Sequence, residues 1–157
     1  VQLRPGVREL MDDCARVGVR MAIATTTSRA NVGALLEACL GPDGRKRFAA
    51  IVCAEDAPIK KPDPQVYTLC LRRLGIVGRE AIAIEDSPAG VGAARAAGVP
   101  VIVTRSRYFA DARISGALAV GPGLESIAGW QPRTGRAGRV TLTQLMAWRE
   151  SLLKLSA

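Results

Sequence analysis

Ala81-Ile82-Ala83-Ile84-Glu85-Asp86-Ser87-Pro88-Ala89-Gly90 is the stretch on which the reading of this chain turns. Four apolar residues end in two adjacent carboxylates, after which Ser87 offers an N-cap and Pro88 takes the first helical position. The pattern predicts a buried strand over Ala81–Ile84 running directly into a helix, with charge placed at the junction. Gly90 and Gly92 let that helix approach its neighbours closely. Carboxylates at the end of a buried strand suit a hard cation such as Mg²⁺, which takes one or two protein carboxylates and keeps several waters. A helix-capping acid pair is the plain alternative.

The same strand-to-helix alternation extends in both directions. Val7, Leu10, Met11, Cys14 and Val17 recur at helical spacing after Pro5, predicting a helix over 5–17 that stops at Gly18. A strand at Val19–Ala24 follows, then a helix near 31–40 (Val32, Leu35, Leu36, Cys39) and a strand at Phe48–Cys53. Next come a helix over 64–74 ended by Gly75, the quoted strand, a helix over 88–97 and a strand at Val99–Thr104. Beyond it the pattern thins to a short strand around Leu118–Val120 and a Gly/Pro/Arg-rich loop over 129–139. A terminal helix over 141–153 carries Leu142, Leu145, Met146, Trp148, Leu152 and Leu153. No internal repeat or second domain is evident. Alternation of this kind predicts an α/β fold, a doubly wound parallel sheet with helices on both faces and ligands beyond the carboxyl ends of the strands.

Two further strand ends carry polar sequence. Thr25-Thr26-Thr27-Ser28 delivers four hydroxyls ahead of the helix that contains Asn31. With free backbone N–H groups at a helix N-terminus they would cradle a phosphate; a simple Ser/Thr cap is the alternative. Ile59-Lys60-Lys61-Pro62-Asp63-Pro64 sets a lysine against a rigid Pro-x-Pro turn, which would present its ammonium as a fixed charge, although lysine pairs in loops are commonly surface decoration.

Composition bounds the chemistry. The 157 residues contain no histidine, which excludes within this chain any His-dependent nucleophile or His-ligated zinc. Four cysteines, Cys14, Cys39, Cys53 and Cys70, form no CxxC pair and fall in apolar patterns, so buried reduced thiols in a cytoplasmic setting are expected. An organelle stroma is the alternative if a transit peptide lies upstream. No apolar run reaches the roughly 20 residues a bilayer span needs, and the N-terminal residues do not resemble a signal peptide. The formal charge of +8 makes an acidic or phosphorylated partner reasonable. Its basic clusters, Arg45-Lys46-Arg47 and Arg133, Arg136 and Arg139, are short, however, and aromatics are only 4%, too few for base stacking. Nucleic acid is therefore not the expected partner, and the clusters read as solvated surface.

Taken in order, the hydroxyl run, the lysine before proline and the carboxylate pair resemble motifs two, three and four of the haloacid dehalogenase-like (HAD) hydrolases, across Leu3–Thr104. Lys-Pro-Asp-Pro and Glu-Asp-Ser-Pro-Ala-Gly resemble the phosphatase and phosphomutase branch. Ala-Thr-Thr-Thr-Ser-Arg-Ala-Asn-Val, with the later Gly41-Pro42-Asp43-Gly44 turn, resembles the CbbY-like sugar-bisphosphate phosphatases. The resemblance implies a HAD-like core that uses Mg²⁺ on a small phosphorylated sugar. It makes Thr25 the hydroxyl that holds the transferring phosphoryl group and Lys61 the cation that offsets its charge, with Lys60 the runner-up. It makes Asp86 a metal ligand, with Glu85 a ligand or a partner of one. Thr26, Thr27, Ser28, Arg29 and Asn31 fall where substrate contacts are expected.

The family's first motif, Asp-x-Asp on a central strand, supplies its nucleophile and its acid/base. No Asp-x-Asp occurs in this sequence, and Asp12-Asp13 falls mid-helix. The expectation is a partial core in which that strand and the cap domain lie outside the chain. The absent strand would run between the strands ending in Thr25 and Asp86, so we expect those two either to collapse together or to leave the chain unstable and, alone, inactive. A phosphomutase of the β-phosphoglucomutase type shares the three motifs, and a non-catalytic phosphate- or protein-binding module is the reading from another class. An apolar strand ending in Asp-x-Asp upstream would favour an enzyme.

Overall fold

The computed structural model describes residues 2–155, apart from the side chains of Leu153 and Leu155. Leu153, assigned above to the apolar face of the terminal helix, thus has its side chain outside the described set. The elements run α1 (Val7–Arg16), β1 (Ala22–Ala24), α2 (Arg29–Leu40), β2 (Ala50–Val52), α3 (Gln65–Leu74), β3 (Ala83–Glu85), α4 (Pro88–Ala96), β4 (Val101–Thr104), β5 (Ala119–Gly121) and α5 (Leu142–Leu155). Each expected element is present; β1 to β4 are shorter than expected, and β5 keeps its expected length one residue further along. Helix boundaries follow local chemistry. Ser28 caps α2 by accepting from the Asn31 N–H, and Ser87 caps α4 by accepting from the Gly90 N–H, with Pro88 at its start. Gly75 ends α3 with φ 66°, a left-handed conformation that favours glycine.

Every ladder is parallel, but the strands form two sheets rather than one. In the first, Ala22, Ile23 and Ala24 of β1 face Ala50, Ile51 and Val52 of β2. The second has the order β3-β4-β5. β1 and β3 do not pair, so the collapse expected above does not occur. In the layer beneath, α3 and α4 link the two half-sheets through one core that includes Val52, Val66, Cys70, Val91, Ala94 and Val101. Ile84, in the middle of β3, is left 39% exposed.

On the opposite face, α2 covers the first sheet through Val32 and Leu36 on Ile51 and Cys53. α1 and α5 cover the second, with Leu10, Ile102, Trp130, Leu145 and Trp148 in one cluster. The chain after β5 returns as an antiparallel bridge, Val120 to Gln131, which occupies the outer edge of β5. Helical spacing overstated burial at three positions. Val17, Leu35 and Met146 are exposed: Val17 caps α1 beyond its last turn at Arg16, and Leu35 and Met146 lie off the stripe by which their helices meet the sheet. None of the four cysteines is in a disulfide; Cys14, Cys53 and Cys70 are buried, whereas Cys39 is only partly so.

Candidate active site

Lys61 sits in the loop before α3, next to Pro62, whose ring lies against Gly92 of α4. A side chain at Gly92 would press on that ring, with a Cβ 3.2 Å from Pro62 Cβ, so the bare helix face lets the loop dock. Docked there, Lys61 turns inward and its Nζ lies 2.5 Å from Glu85 Oε1, with both side chains largely buried. Lys60 stays exposed. The Tyr67 hydroxyl, from the first turns of α3, donates to the same Glu85 oxygen. The Lys61 ammonium also stands 5.0 Å from the centre of the Tyr67 ring. Burial, then the Glu85 charge, pushes the Tyr67 phenol far above its ordinary pKa, so it remains a donor.

The other oxygen of Glu85 rests on Gly90 in the first turn of α4. A Cβ at Gly90 would come within 1.9 Å of Glu85 Oε2, so only glycine leaves this carboxylate its place. Asp86, the next residue, is partly buried and has no hydrogen-bond or ion-pair partner among the described residues. One carboxylate is thus clasped and its neighbour is open. No three His, Cys, Asp or Glu converge among the described residues. The donors this chain offers a cation are Asp86 and, shared with Lys61 and Tyr67, Glu85. That all-oxygen pair fits Mg²⁺, which needs few protein ligands, and does not fit zinc.

Thr25 continues β1 by donating its N–H to the Val52 carbonyl at 3.0 Å. Its hydroxyl oxygen accepts from the Thr27 N–H at 3.1 Å, which orients Oγ1 and leaves the hydroxyl proton to donate. Thr26 is partly buried, Thr27 is exposed, and the Thr27 carbonyl accepts from the Ala54 N–H. The helix N-terminus behind these hydroxyls is less free than expected. The Arg29 N–H donates to both oxygens of Glu55 at 3.0 and 2.9 Å, and the Asn31 N–H is taken by Ser28. The loop after β2 folds back and supplies its own anion there. The Arg29 side chain is likewise held, by Asp56 at 2.8 Å, while the Asn31 side chain stands exposed.

Asp56 joins three segments, accepting from Arg73 of α3 at 2.7 Å, Arg29 of α2 and the Cys53 N–H. Arg73 above all, then the Cys53 N–H and Arg29, hold its carboxyl far below the ordinary range. Sequence reasoning passed over Glu55, Asp56 and Tyr67. The acids look like loop solubility and the tyrosine like a core position, and only their distant partners give them roles.

Asp12 and Asp13 lie within α1, as expected. Asp13 is buried and accepts from Arg139 and the Leu142 N–H, and Asp12 pairs with Arg47. One arginine of each basic cluster is therefore tied to α1 instead of standing free. Among the described residues no helix is long and apolar enough to cross a membrane.

Residues 1–98 match the haloacid dehalogenase-like hydrolase family. The plasmid-borne protein CbbY of Cupriavidus necator is 46% identical over 154 residues, covering 96% of this chain and 61% of its own length. A crystal structure of a mutant CbbY from Rhodobacter sphaeroides, in complex with xylulose-(1,5)bisphosphate, superposes with a TM-score of 0.72. It shares 41% identity over 74% of this chain and 52% of that one. A putative β-phosphoglucomutase from Thermotoga maritima gives a TM-score of 0.62 at 31% identity, over 67% of this chain and 48% of that one. The chain thus spans about half to three-fifths of the length of these relatives.

Proposed function

Because the chain belongs to the haloacid dehalogenase-like hydrolases, we propose that it forms the supporting part of a Mg²⁺-dependent phosphatase acting on a sugar phosphate or bisphosphate. The observation that carries this reading is the Lys61 ammonium held at Glu85 beside the open carboxylate of Asp86, at the carboxyl end of a parallel strand. The likeness to a CbbY bound to xylulose-(1,5)bisphosphate supports a bisphosphorylated sugar as substrate.

Hydrolysis would run in two steps. An aspartate outside this chain attacks phosphorus to form an aspartyl-phosphate and expel the sugar alkoxide, and water then releases phosphate. β1 and β3 each end a sheet with an unpaired edge, which suits an additional strand bearing that aspartate, since these strands lead to Thr25 and to Glu85 and Asp86. In this scheme the Thr25 hydroxyl donates to a phosphoryl oxygen, and Lys61 offsets charge on the nucleophile and the transferring group. Asp86, with Glu85, would hold Mg²⁺, which supplies further neutralisation of phosphoryl charge when bound. Thr26, Thr27, Ser28, Arg29 and Asn31 remain candidates for contacts to the rest of the substrate. Four cysteines outside any disulfide suit a reducing compartment, cytosol or stroma.

The test is phosphate release by the full-length protein from a panel of sugar phosphates including xylulose 1,5-bisphosphate, with and without Mg²⁺. We expect Mg²⁺-dependent release, and no release from any member would overturn the reading. The likeness to the putative β-phosphoglucomutase favours a second reading, phosphoryl transfer between positions of one sugar. Product analysis separates them, because a mutase yields an isomeric sugar phosphate and little free phosphate.

A further inference from the structure

We infer that Tyr67 is a positioning residue for the Lys61–Glu85 pair, an inference that rests on the phosphatase reading for its kinetic consequence alone. Three observations converge on this side chain. Its hydroxyl donates to the Glu85 oxygen that also receives Lys61, its ring lies under the Lys61 ammonium, and it is buried on α3 with 9% exposure. A phenylalanine would fill the same core volume. The hydroxyl is thus the part that packing does not require, and its one hydrogen bond goes to the carboxylate of the candidate site.

The physical need is specific. Glu85 has Gly90 against one oxygen and must take both the Lys61 ammonium and the Tyr67 hydroxyl on the other. Lys61 has a long, flexible stem, and a single ion pair would leave its ammonium free to swing. The ring face adds a second attraction from below, and the hydroxyl stops the carboxylate from rotating away. Because α3 begins just after the Lys61 loop, one residue in its first turns fixes both members of the pair. The lysine is thereby held in place before any phosphoryl group arrives, which is where electrostatic catalysis gains most.

The experiment uses the full-length protein and two variants, Tyr67→Phe, which keeps the ring, and Tyr67→Leu, which loses ring and hydroxyl. The first readout needs neither metal nor substrate: solvent exchange of the Lys61 ammonium protons, followed by NMR on protein labelled with ¹⁵N-lysine. We expect slow exchange in the parent, faster in Tyr67→Phe and fastest in Tyr67→Leu. The second readout is kinetic, with kcat falling about 10-fold in Tyr67→Phe, as for loss of an outer-shell partner, while KM and the melting temperature stay near the parent values. Unchanged ammonium exchange in Tyr67→Phe overturns the inference, and so does faster exchange with unchanged kcat. Tyr67→Leu is read only beside Tyr67→Phe, since it can also weaken the core. If the parent releases no phosphate, the phosphatase reading fails and the exchange measurement still decides the role of Tyr67.

Discussion

Lys60 and Lys61 are adjacent in sequence and opposite in circumstance, because the loop docks Pro62 on Gly92 and only the second ammonium then reaches Glu85. Replacing Lys61 by Ala in the full-length enzyme should lower kcat by about 10²–10³, as for loss of one preorganised charge donor, while Lys60→Ala leaves turnover unchanged. A Lys61→Ala enzyme with full activity would overturn the assignment. Acid stability is also set residue by residue. Asp56 is held low chiefly by Arg73, and Asp13 is held low chiefly by Arg139. The same carboxyls in the unfolded chain titrate near 4 or just below, so on acidification the unfolded state takes up protons first. The stability these contacts give is complete above about pH 4 and drains away as pH falls through the lower folded values. Melting temperatures followed from neutral pH to about 2 should fall below that point, and Asp56→Asn should flatten the fall. An unchanged acid slope in Asp56→Asn would exclude Asp56 as a source.

At the scale of elements, glycines set how closely segments meet. Gly90→Ala would force Glu85 from its seat, since Lys61 and Tyr67 pin the carboxylate that the new methyl would strike. Activity should therefore drop well beyond any change in melting temperature, and an active Gly90→Ala enzyme would show that Glu85 has room to move. Gly121 closes β5 against Trp130, and a Cβ added there would lie 2.2 Å from the indole. That indole donates to the Gly123 carbonyl at 2.8 Å and stacks on Trp148 of α5 at 4.8 Å, so it cannot readily yield. Gly121→Ala should cost about 1–3 kcal/mol of stability by overpacking, measured by denaturant unfolding. The strands and helices themselves were legible in the sequence, because apolar runs, Ser87-Pro88 and Gly75 are local signals. Tyr67, Glu55 and Asp56 were not, because their partners lie in other segments. The exposure of Leu35 and Met146 was not legible either, because periodicity gives a helix its apolar face and not the width of what covers it.

For the whole molecule, the controlling feature is the division into two parallel sheets. α3 and α4 join them on one face, while the edges of β1 and β3 remain unpaired. Amide exchange should follow that division, with β4, paired on both sides and buried throughout, protected most, and β1 and β3 exchanging faster. Equal protection of β3 and β4 would mean that the open edge of β3 is paired in solution. The sequence by itself determined the alternating fold, the three polar strand ends, their order, and the absence of an Asp-x-Asp pair, since each of these is written in neighbouring residues or in their periodicity. Only the tertiary structure decided that the Lys61 ammonium is held by Glu85 and Tyr67, that Asp86 is left open, that Asp56 takes Arg29, and that two half-sheets stand apart. Those outcomes depend on which distant segments pack together and on the volume between them, and no local pattern carries that information.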